Sequence, residues 1–463
     1  MLALYPYQEK GAEFLGIRNG AILGDDPGLG KTAQAICAAK ENHGPVLIIS
    51  RPLNKWFWED EINRWDPDNV GIVVCGPGGV FDEETVKTWF EVPRKRGYLI
   101  IHHEALATPK KTVKGVIVGV QRDLAKKLRS YGLWEVIIAD ECHRFKSPKA
   151  QMTKALKTIS SFHRWGLTGT PIDKTPADMW SILNWFDKFK FKSYWDFFDA
   201  YTQYTIGAYG RRTILGPRNL AMFKREVGPY YLARKRDEVL PDLPEIIHSH
   251  IPLEMTPDQR RIYDEFKTKT FVHLQTLLQT SDAGDPVFVK NALARIGQLR
   301  RVALNPMLVD AQVVGCKIPW ILEWAEEYPD VPFVVFTHSR MFADTLPILI
   351  DRCATISGSV PQSQRDMVMS RFQNGDLRAI VGTIDTMSES VNLQRAKVAI
   401  FTDLHWSSIA MTQAEFRIAR MDSKHPVQLI KLSARGSVDE LIAKALALKF
   451  NTRQMVEEFL KEA

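Results

Sequence analysis

Cysteine is scarce and scattered in this chain: Cys37, Cys75, Cys142, Cys316 and Cys353 form no Cys-x-x-Cys pair and have no histidine at metal-ligand spacing. That argues against a disulfide framework or a metal cluster and favours a reducing compartment. No apolar run approaches the roughly 18 residues of a membrane span. The opening MLALYPYQEKGAEFL lacks the basic-then-apolar order of an export signal. Together these gaps predict a chain with no membrane partner, cytoplasmic or, in a eukaryote, nuclear. Internal repeats and low-complexity tracts are also missing, which excludes solenoid and disordered classes.

What remains is an ordinary globular composition, 45% hydrophobic and 25% charged, over 463 residues. That length is too great for one core and predicts more than one domain. The net charge is +7, and the excess is local. Residues 105–131 carry seven Lys/Arg against one acid, and residues 205–236 carry eight against one. Such patches suit a polyanionic partner, although simple solubility gives the same balance.

Short apolar runs alternate with longer helical stretches, the pattern of α/β domains with parallel sheets. Runs at 46–50, 98–102, 136–139 and 165–168 read as buried strands of one lobe. Runs at 333–336, 354–357, 379–382 and 399–402 read as those of a second. Between them, 177–204 is dense in aromatics at helical spacing, which predicts helix packing in preference to base stacking. Residues 207–219 read as a basic loop or hairpin, and the proline-punctuated 241–252 as an extended connector. Thr256 followed by Pro257 and Asp258 predicts a capped helix start. The expected domains are a first lobe over 1–175, its aromatic and basic insertion over 176–240, a connector with a helical insertion over 241–312, and a second lobe over 313–463.

The chemistry begins at GDDPGLGKT, residues 24–32, between the apolar end of a strand and a helix. Gly28 and Gly30 let backbone N–H groups converge on an anion, and the helix N-terminus adds its dipole. Lys31 can reach the β and γ phosphates, and the Thr32 hydroxyl can ligand Mg²⁺. Asp25 stands where the strict phosphate-loop pattern has glycine, so by itself the match leaves an ordinary glycine-rich turn open. In VIIADECHRFK, residues 136–146, a strand ends in two carboxylates. Asp140 can hold Mg²⁺, and Glu141 can polarise a water for attack on the γ-phosphate. His143 has a coupling role only through these neighbours.

DDPGLGKT with DECH, LTGTP at 167–171 and QAEFRIAR at 413–420 resembles the motif set of superfamily-two helicases and, more narrowly, Swi/Snf-type DNA translocases. Stretches at 4–15, 46–52, 232–245, 299–306, 334–340 and 389–394 match further blocks in the family's order. The resemblance implies two RecA-like parallel-sheet lobes with helical insertions between them, and a DNA-stimulated ATPase that needs ATP and Mg²⁺. By motif it assigns Gln8 to adenine and Asp26, Gly28, Leu29, Gly30, Lys31 and Thr32 to the nucleotide. It assigns Asp140 and Glu141 to catalysis, and Gln413, Arg417 and Arg420 to the γ-phosphate. Arg51, Thr168 and Gly169, with Thr383, Ser390 and Asn392, match nucleic-acid contacts, and Arg211 and Arg212 join them as part of the basic insertion. The compact build resembles the fork-remodelling and annealing branch of the family. The expected activity is translocation on duplex DNA, with branch migration or fork reversal in replication, recombination or repair, by a monomer. Two rivals stand beside it: a single-strand DNA or RNA helicase of the same superfamily, and an ATP-gated DNA-binding recruitment subunit.

Overall fold

The computed structural model describes residues 3–76, 79–91, 96–107, 110–113, 116–120, 124–172, 175–206, 212–240, 246–278, 286–358, 360–387, 393–405, 408–418 and 425–447. They divide into two units, residues 1–241 and 242–463.

The first unit is built on strands β1 (Gly20–Leu23), β2 (Val46–Ser50), β3 (Gly71–Val74) and β4 (Gly97–His102). An antiparallel hairpin, β5 (Lys110–Val113) and β6 (Val116–Val120), follows, then β7 (Trp134–Asp140) and β8 (Ser161–Leu167). A second antiparallel hairpin, β9 (Thr202–Ile206) and β10 (Arg212–Pro217), precedes the short β11 (Tyr231–Leu232). Seven of these strands form one parallel sheet in the order β3-β4-β2-β7-β8-β1-β11. A parallel sheet is covered on both faces, so its central strands read as unbroken apolar runs. Alternate residues enter opposite cores here. Leu47, Ile49, Ile137 and Ala139 pack in one, and Val46, Ile48, Val136 and Ile138 in the other.

The aromatic insertion packs as helices. Trp180–Phe186, Tyr194–Tyr201 and Leu220–Val227 bring Trp180, Phe186, Phe197, Tyr201 and Phe223 into the same core as the first sheet. Phe197 and Tyr201 meet edge to face at 4.8 Å. Such contacts add about 0.5–1.5 kcal/mol beyond the area they bury. Only Phe189 and Trp195 of that aromatic set are largely exposed.

The second unit contains β12 (Ile246–Leu253), β13 (Phe333–Thr337), β14 (Cys353–Ile356), β15 (Ala379–Thr383), β16 (Val398–Phe401) and β17 (Val427–Ala434). They form a parallel sheet in the order β12-β17-β16-β13-β15-β14. The stretch expected to be a connector therefore ends in a strand: among the described residues β12 pairs with β17 alone, at an edge, where Pro252 is tolerated because one side of the strand makes no ladder there. The helices Pro257–Leu278 and Pro286–Leu304 share a core with Val438, Leu441 and Ile442. Thr256 Oγ1 accepts from Gln259 N at 3.2 Å and so caps the first of them. Among the described residues no helix is long and apolar enough to cross a membrane.

Candidate active site

The phosphate-loop turn leaves the carboxyl end of β1, which lies between β8 and the edge strand β11 of the first sheet. Gly28 and Gly30 have φ of 88° and 73°, a region that costs an L side chain about 1–2 kcal/mol, so glycine is required by the backbone. Gly30 is the N-cap of the helix Lys31–Lys40 and brings no side chain to its free N–H groups. The Lys31 ammonium donates to the carbonyls of Asp25 at 2.6 Å and Asp26 at 3.2 Å. Partial burial lowers its pKa against the pull of Glu141, Asp25 and Asp140, the carboxylates that face it.

Asp25, the residue in place of the expected glycine, is fully buried and anchors the loop. Its carboxylate accepts from Arg234 N (3.1 Å), Nε (3.0 Å) and Nη2 (2.5 Å), and from Gln34 Nε2 (3.1 Å). Arg234 also donates to Gln34 Oε1 at 2.7 Å and to the Tyr7 carbonyl. A bidentate, desolvated guanidinium–carboxylate pair of this kind fixes geometry. It ties the loop to residues more than two hundred positions downstream, and Asp26 Oδ2 does the same by accepting from Arg236 N at 3.0 Å. Gln8 Nε2 donates to the Leu29 carbonyl at 3.2 Å while its Oε1 accepts from Tyr5 N, so this side chain, 4% exposed, braces the loop from the N-terminal helix.

At the carboxyl end of β7 stand Asp140 and Glu141, the latter in the left-handed region at φ 49°. Trp58 Nε1 donates to Asp140 Oδ2 at 3.2 Å. His103, buried behind the turn, has Nε2 at 2.8 Å from the Asp140 carbonyl. Burial and the neighbouring Glu141 raise the Asp140 pKa. Burial also pushes Glu141 up, but the hydrogen bond and charge of His143, with Arg51 and Lys31, outweigh it and hold Glu141 down at about 2. The two adjacent carboxyls are thus driven apart, as acid–base pairs are.

Several residues expected at nucleic acid turn inward. Thr168 is fully buried. Its hydroxyl lies 3.0 Å from His143 Nδ1 and 3.4 Å from Glu141 Oε2, and it accepts from Thr170 N at 3.1 Å. A Cβ on Gly169 would meet Pro27 at 2.9 Å, so LTGTP packs directly on the phosphate loop. Arg51 contributes its charge to both Asp140 and Glu141. Arg212 lies on β10, its guanidinium 4.3 Å from the Trp195 ring centroid and 4.9 Å from that of Tyr204. Thr32 sits partly buried in the first turn of Lys31–Lys40.

In the second unit Thr383 ends β15, its Oγ1 donating to Thr386 Oγ1 at 2.8 Å. Gln413 is buried and Arg417 half-buried on the helix Ser408–Ile418. Arg211, Ser390, Asn392 and Arg420 lie outside the described residues. Sequence reasoning missed Arg234, Arg51's reach to the acids, Trp58 and His103. The advance signs were the family blocks at 46–52 and 232–245, which hold Arg51 and Arg234, and Asp25 itself: a carboxylate in a glycine's place, inside a buried turn, requires a cation.

The "SNF2-related domain" family matches residues 7–308, about two thirds of the chain, and "Helicase conserved C-terminal domain" matches residues 317–422. The chain belongs to the SNF2-related family. A mouse relative of this SNF2 chain, "DNA annealing helicase and endonuclease ZRANB3", is 25% identical over 457 residues, covering 95% of the chain and 39% of the relative. The Arabidopsis thaliana "CHD3-type chromatin-remodeling factor PICKLE" is 22% identical over 510 residues, covering 99% and 34%. The SNF2 chain thus spans about two fifths or less of the length of either. Among solved structures, the Sulfolobus solfataricus SWI2/SNF2 ATPase core in complex with dsDNA aligns over all of this chain and 97% of that one, at 23% identity and TM-score 0.43.

Proposed function

We propose that this SNF2 chain is an ATP-hydrolysing motor that moves along duplex DNA and remodels branched DNA. The observation that carries the motor reading is the convergence on one ammonium, Lys31, of the acids that end β7 and of a loop whose glycines leave its N–H groups unobstructed. The donor set fits a nucleotide triphosphate with Mg²⁺. No atom lies within 4 Å of where a Cβ on Gly28 would stand, and hydroxyl and carboxylate oxygens of Thr32 and Asp140 are the hard ligands that Mg²⁺ takes. Bound there, the ion would neutralise charge on the β and γ phosphates.

The chain's own residues supply the rest. Lys31 exchanges loop carbonyls for phosphate oxygens. Asp140, oriented by Trp58, is the carboxylate that would hold the metal. Glu141, ionised above about pH 2 and aligned by His143, orders and polarises the attacking water. Thr168, bonded to both His143 and Glu141, couples the LTGTP strand end to the acids, so displacement of that strand by nucleic acid alters the base. Gln413, Arg417 and Arg420 join the turnover machinery by their motif alone, as Thr383, Ser390 and Asn392 do the DNA contacts. Arg211 and Arg212 are assigned to the DNA backbone, for which the Arg212 guanidinium would have to leave its aromatic stack.

The branched-DNA role is supported by the annealing-helicase relatives, and a second reading, remodelling of chromatin, by the CHD3-type relative. ATP hydrolysis measured with no DNA, single-stranded DNA, RNA and duplex DNA tests the motor: duplex DNA is expected to stimulate most, and no stimulation by any of them removes the reading. Forked and four-way substrates beside reconstituted nucleosomes then separate the two roles. ATP-dependent resolution of the four-way substrate is expected, and nucleosome sliding without it would favour the second.

A further inference from the structure

The amino ends of β1 and β8 border a cavity of about 920 Å³ in the first unit. It is separated from the phosphate loop, at the carboxyl end of β1, by that strand's four residues, about 13 Å of chain. Gly20 and its sheet partner Arg164 lie at its floor, and Pro229 and Tyr230, leading into β11, lie on its wall.

Four cations line it, Arg18, Lys157, Arg164 and Lys188, against one carboxylate, Asp187. Asp187 Oδ1 is already engaged, accepting from Phe189 N at 3.0 Å and Lys190 N at 2.9 Å. The cations find only neutral partners. Lys157 Nζ donates to Asn184 Oδ1 at 2.8 Å and lies 4.8 Å from the Trp180 ring centroid. Arg164 donates to the Phe186 carbonyl at 3.4 Å, and Arg18 to the carbonyls of Pro229 and Phe14. Lys188 lies 5.1 Å from the Phe189 ring centroid. None of the four is in an ion pair among the described residues. Half-buried charge without a counter-charge is costly, and desolvation accordingly brings Lys157 down to about 8 and lowers Arg164.

Two further observations concern the shape of what would relieve this. Trp185, a lining residue only 5% exposed, has a buried indole N–H with no acceptor among the described residues, where buried donors are nearly always paired. At the rim the Phe189 ring is 83% exposed, in an insertion whose other rings are mostly packed away. The volume lies in the range of organic-ligand sites and far exceeds a bare phosphate.

We propose that this cavity is a second nucleotide-binding site on the first unit, holding a phosphate between Lys157 and Arg164 and a base against Phe189. The nucleotide is either free or one unit of a single strand. The site is independent of the hydrolytic one, and its residues take no part in turnover.

The test uses the full chain in two binding measurements. Equilibrium dialysis of labelled ADP counts sites, and fluorescence anisotropy follows a 5′-phosphorylated oligothymidylate tetranucleotide. The variants are Lys157→Met, Arg164→Gln and Phe189→Ala, the last an exposed position that keeps the test informative if the others fold poorly. A free nucleotide predicts two equivalents of ADP for the parent chain and one for each variant, with DNA-independent ATP hydrolysis unchanged in Phe189→Ala. A strand unit predicts one equivalent throughout but a fall of about tenfold in tetranucleotide affinity in each variant, from a lost base stack in Phe189→Ala and a lost phosphate contact in Lys157→Met and Arg164→Gln. One equivalent and equal tetranucleotide affinity in all chains overturns the proposal. So does the finding that an aspartate-rich peptide is the only anion whose binding the variants weaken.

Discussion

Each unit has a turn from a parallel strand flanked on both sides into a helix, and the two turns are finished differently. After β13, the backbone N–H of His338 donates to Asp403 Oδ1, and Ser339 caps the helix Arg340–Leu349 by accepting from Phe342 N. The second unit satisfies those donors itself. After β1, Gly30 caps Lys31–Lys40 with no side chain, and the adjacent loop is held from behind by the Asp25–Arg234 pair. The same architecture thus makes a closed structural turn in one case and, in the function proposed above, an anion receptor in the other. The difference lies in whether the helix's free N–H groups meet the chain's own oxygen or are left for a ligand's.

The comparison breaks first at the ammonium and the base. Replacing Lys31 by Ala or Glu141 by Gln is expected to reduce steady-state ATP hydrolysis by about 10²–10³-fold, the scale for losing one preorganised group. Full activity in both variants would mean that the receptor turn is not the hydrolytic site.

Next come two buried ion pairs, one behind the turn of β1 and one elsewhere in the second unit. Asp25→Ala strands the Arg234 guanidinium and Asp439→Ala strands Lys317, whose ammonium lies 2.5 Å from the Asp439 carboxylate. Each should lower unfolding free energy in urea by about 3–5 kcal/mol. Only Asp25→Ala should also weaken nucleotide binding; equal damage to binding from both would erase the contrast.

Acid should affect the turn that ends β7. His103 is fully buried, with its pKa lowered to about 4 by desolvation. Its folded pKa lies below the unfolded value of about 6.5, so the unfolded chain takes up the proton first, and stability falls as pH drops from 6.5 towards 4, by an amount on the order of 3 kcal/mol. Glu141, held at about 2, adds a loss only as pH falls below its ordinary value near 4.5. His103→Gln should therefore flatten stability between pH 6.5 and 4 in urea titrations, and an unchanged slope would assign it to another group.

The smallest effects lie in the loop before one helix and at the cap of the other. Gly28→Ala meets no atom but must adopt φ 88°, so a loss of about 1–2 kcal/mol is expected, together with weaker nucleotide binding. Ser339→Ala should cost about 1 kcal/mol by calorimetry and leave nucleotide affinity untouched.

Local patterns determined much of this protein. Unbroken apolar runs located β2, β4, β7 and β8 of the first sheet and β13 to β16 of the second, most of them strands buried on both faces. Glycines with a lysine fixed the receptor turn, and two acids after such a run fixed the turn of β7. Each of these signals lies within a dozen residues, where covalent connectivity does the positioning. Other elements were less legible. β3 and β11, of four and two residues, are too short to stand out, β17 is interrupted by Gln428 and Lys431, and β12 reads as a connector because Pro252 and the prolines before it outweigh a pairing that only β17 reveals. What tertiary structure alone decided is which charges meet. The Arg234–Asp25 clamp, Arg51 beside the acids, and LTGTP seated on the loop with Thr168 bonded to His143 all join residues far apart in the chain. So does the cluster of unpaired cations at the amino ends of β1 and β8. Periodicity and spacing carry no information on such contacts. They depend on strand order and register, which bring distant carboxylates, guanidiniums and hydroxyls within hydrogen-bonding distance only once the sheet has formed.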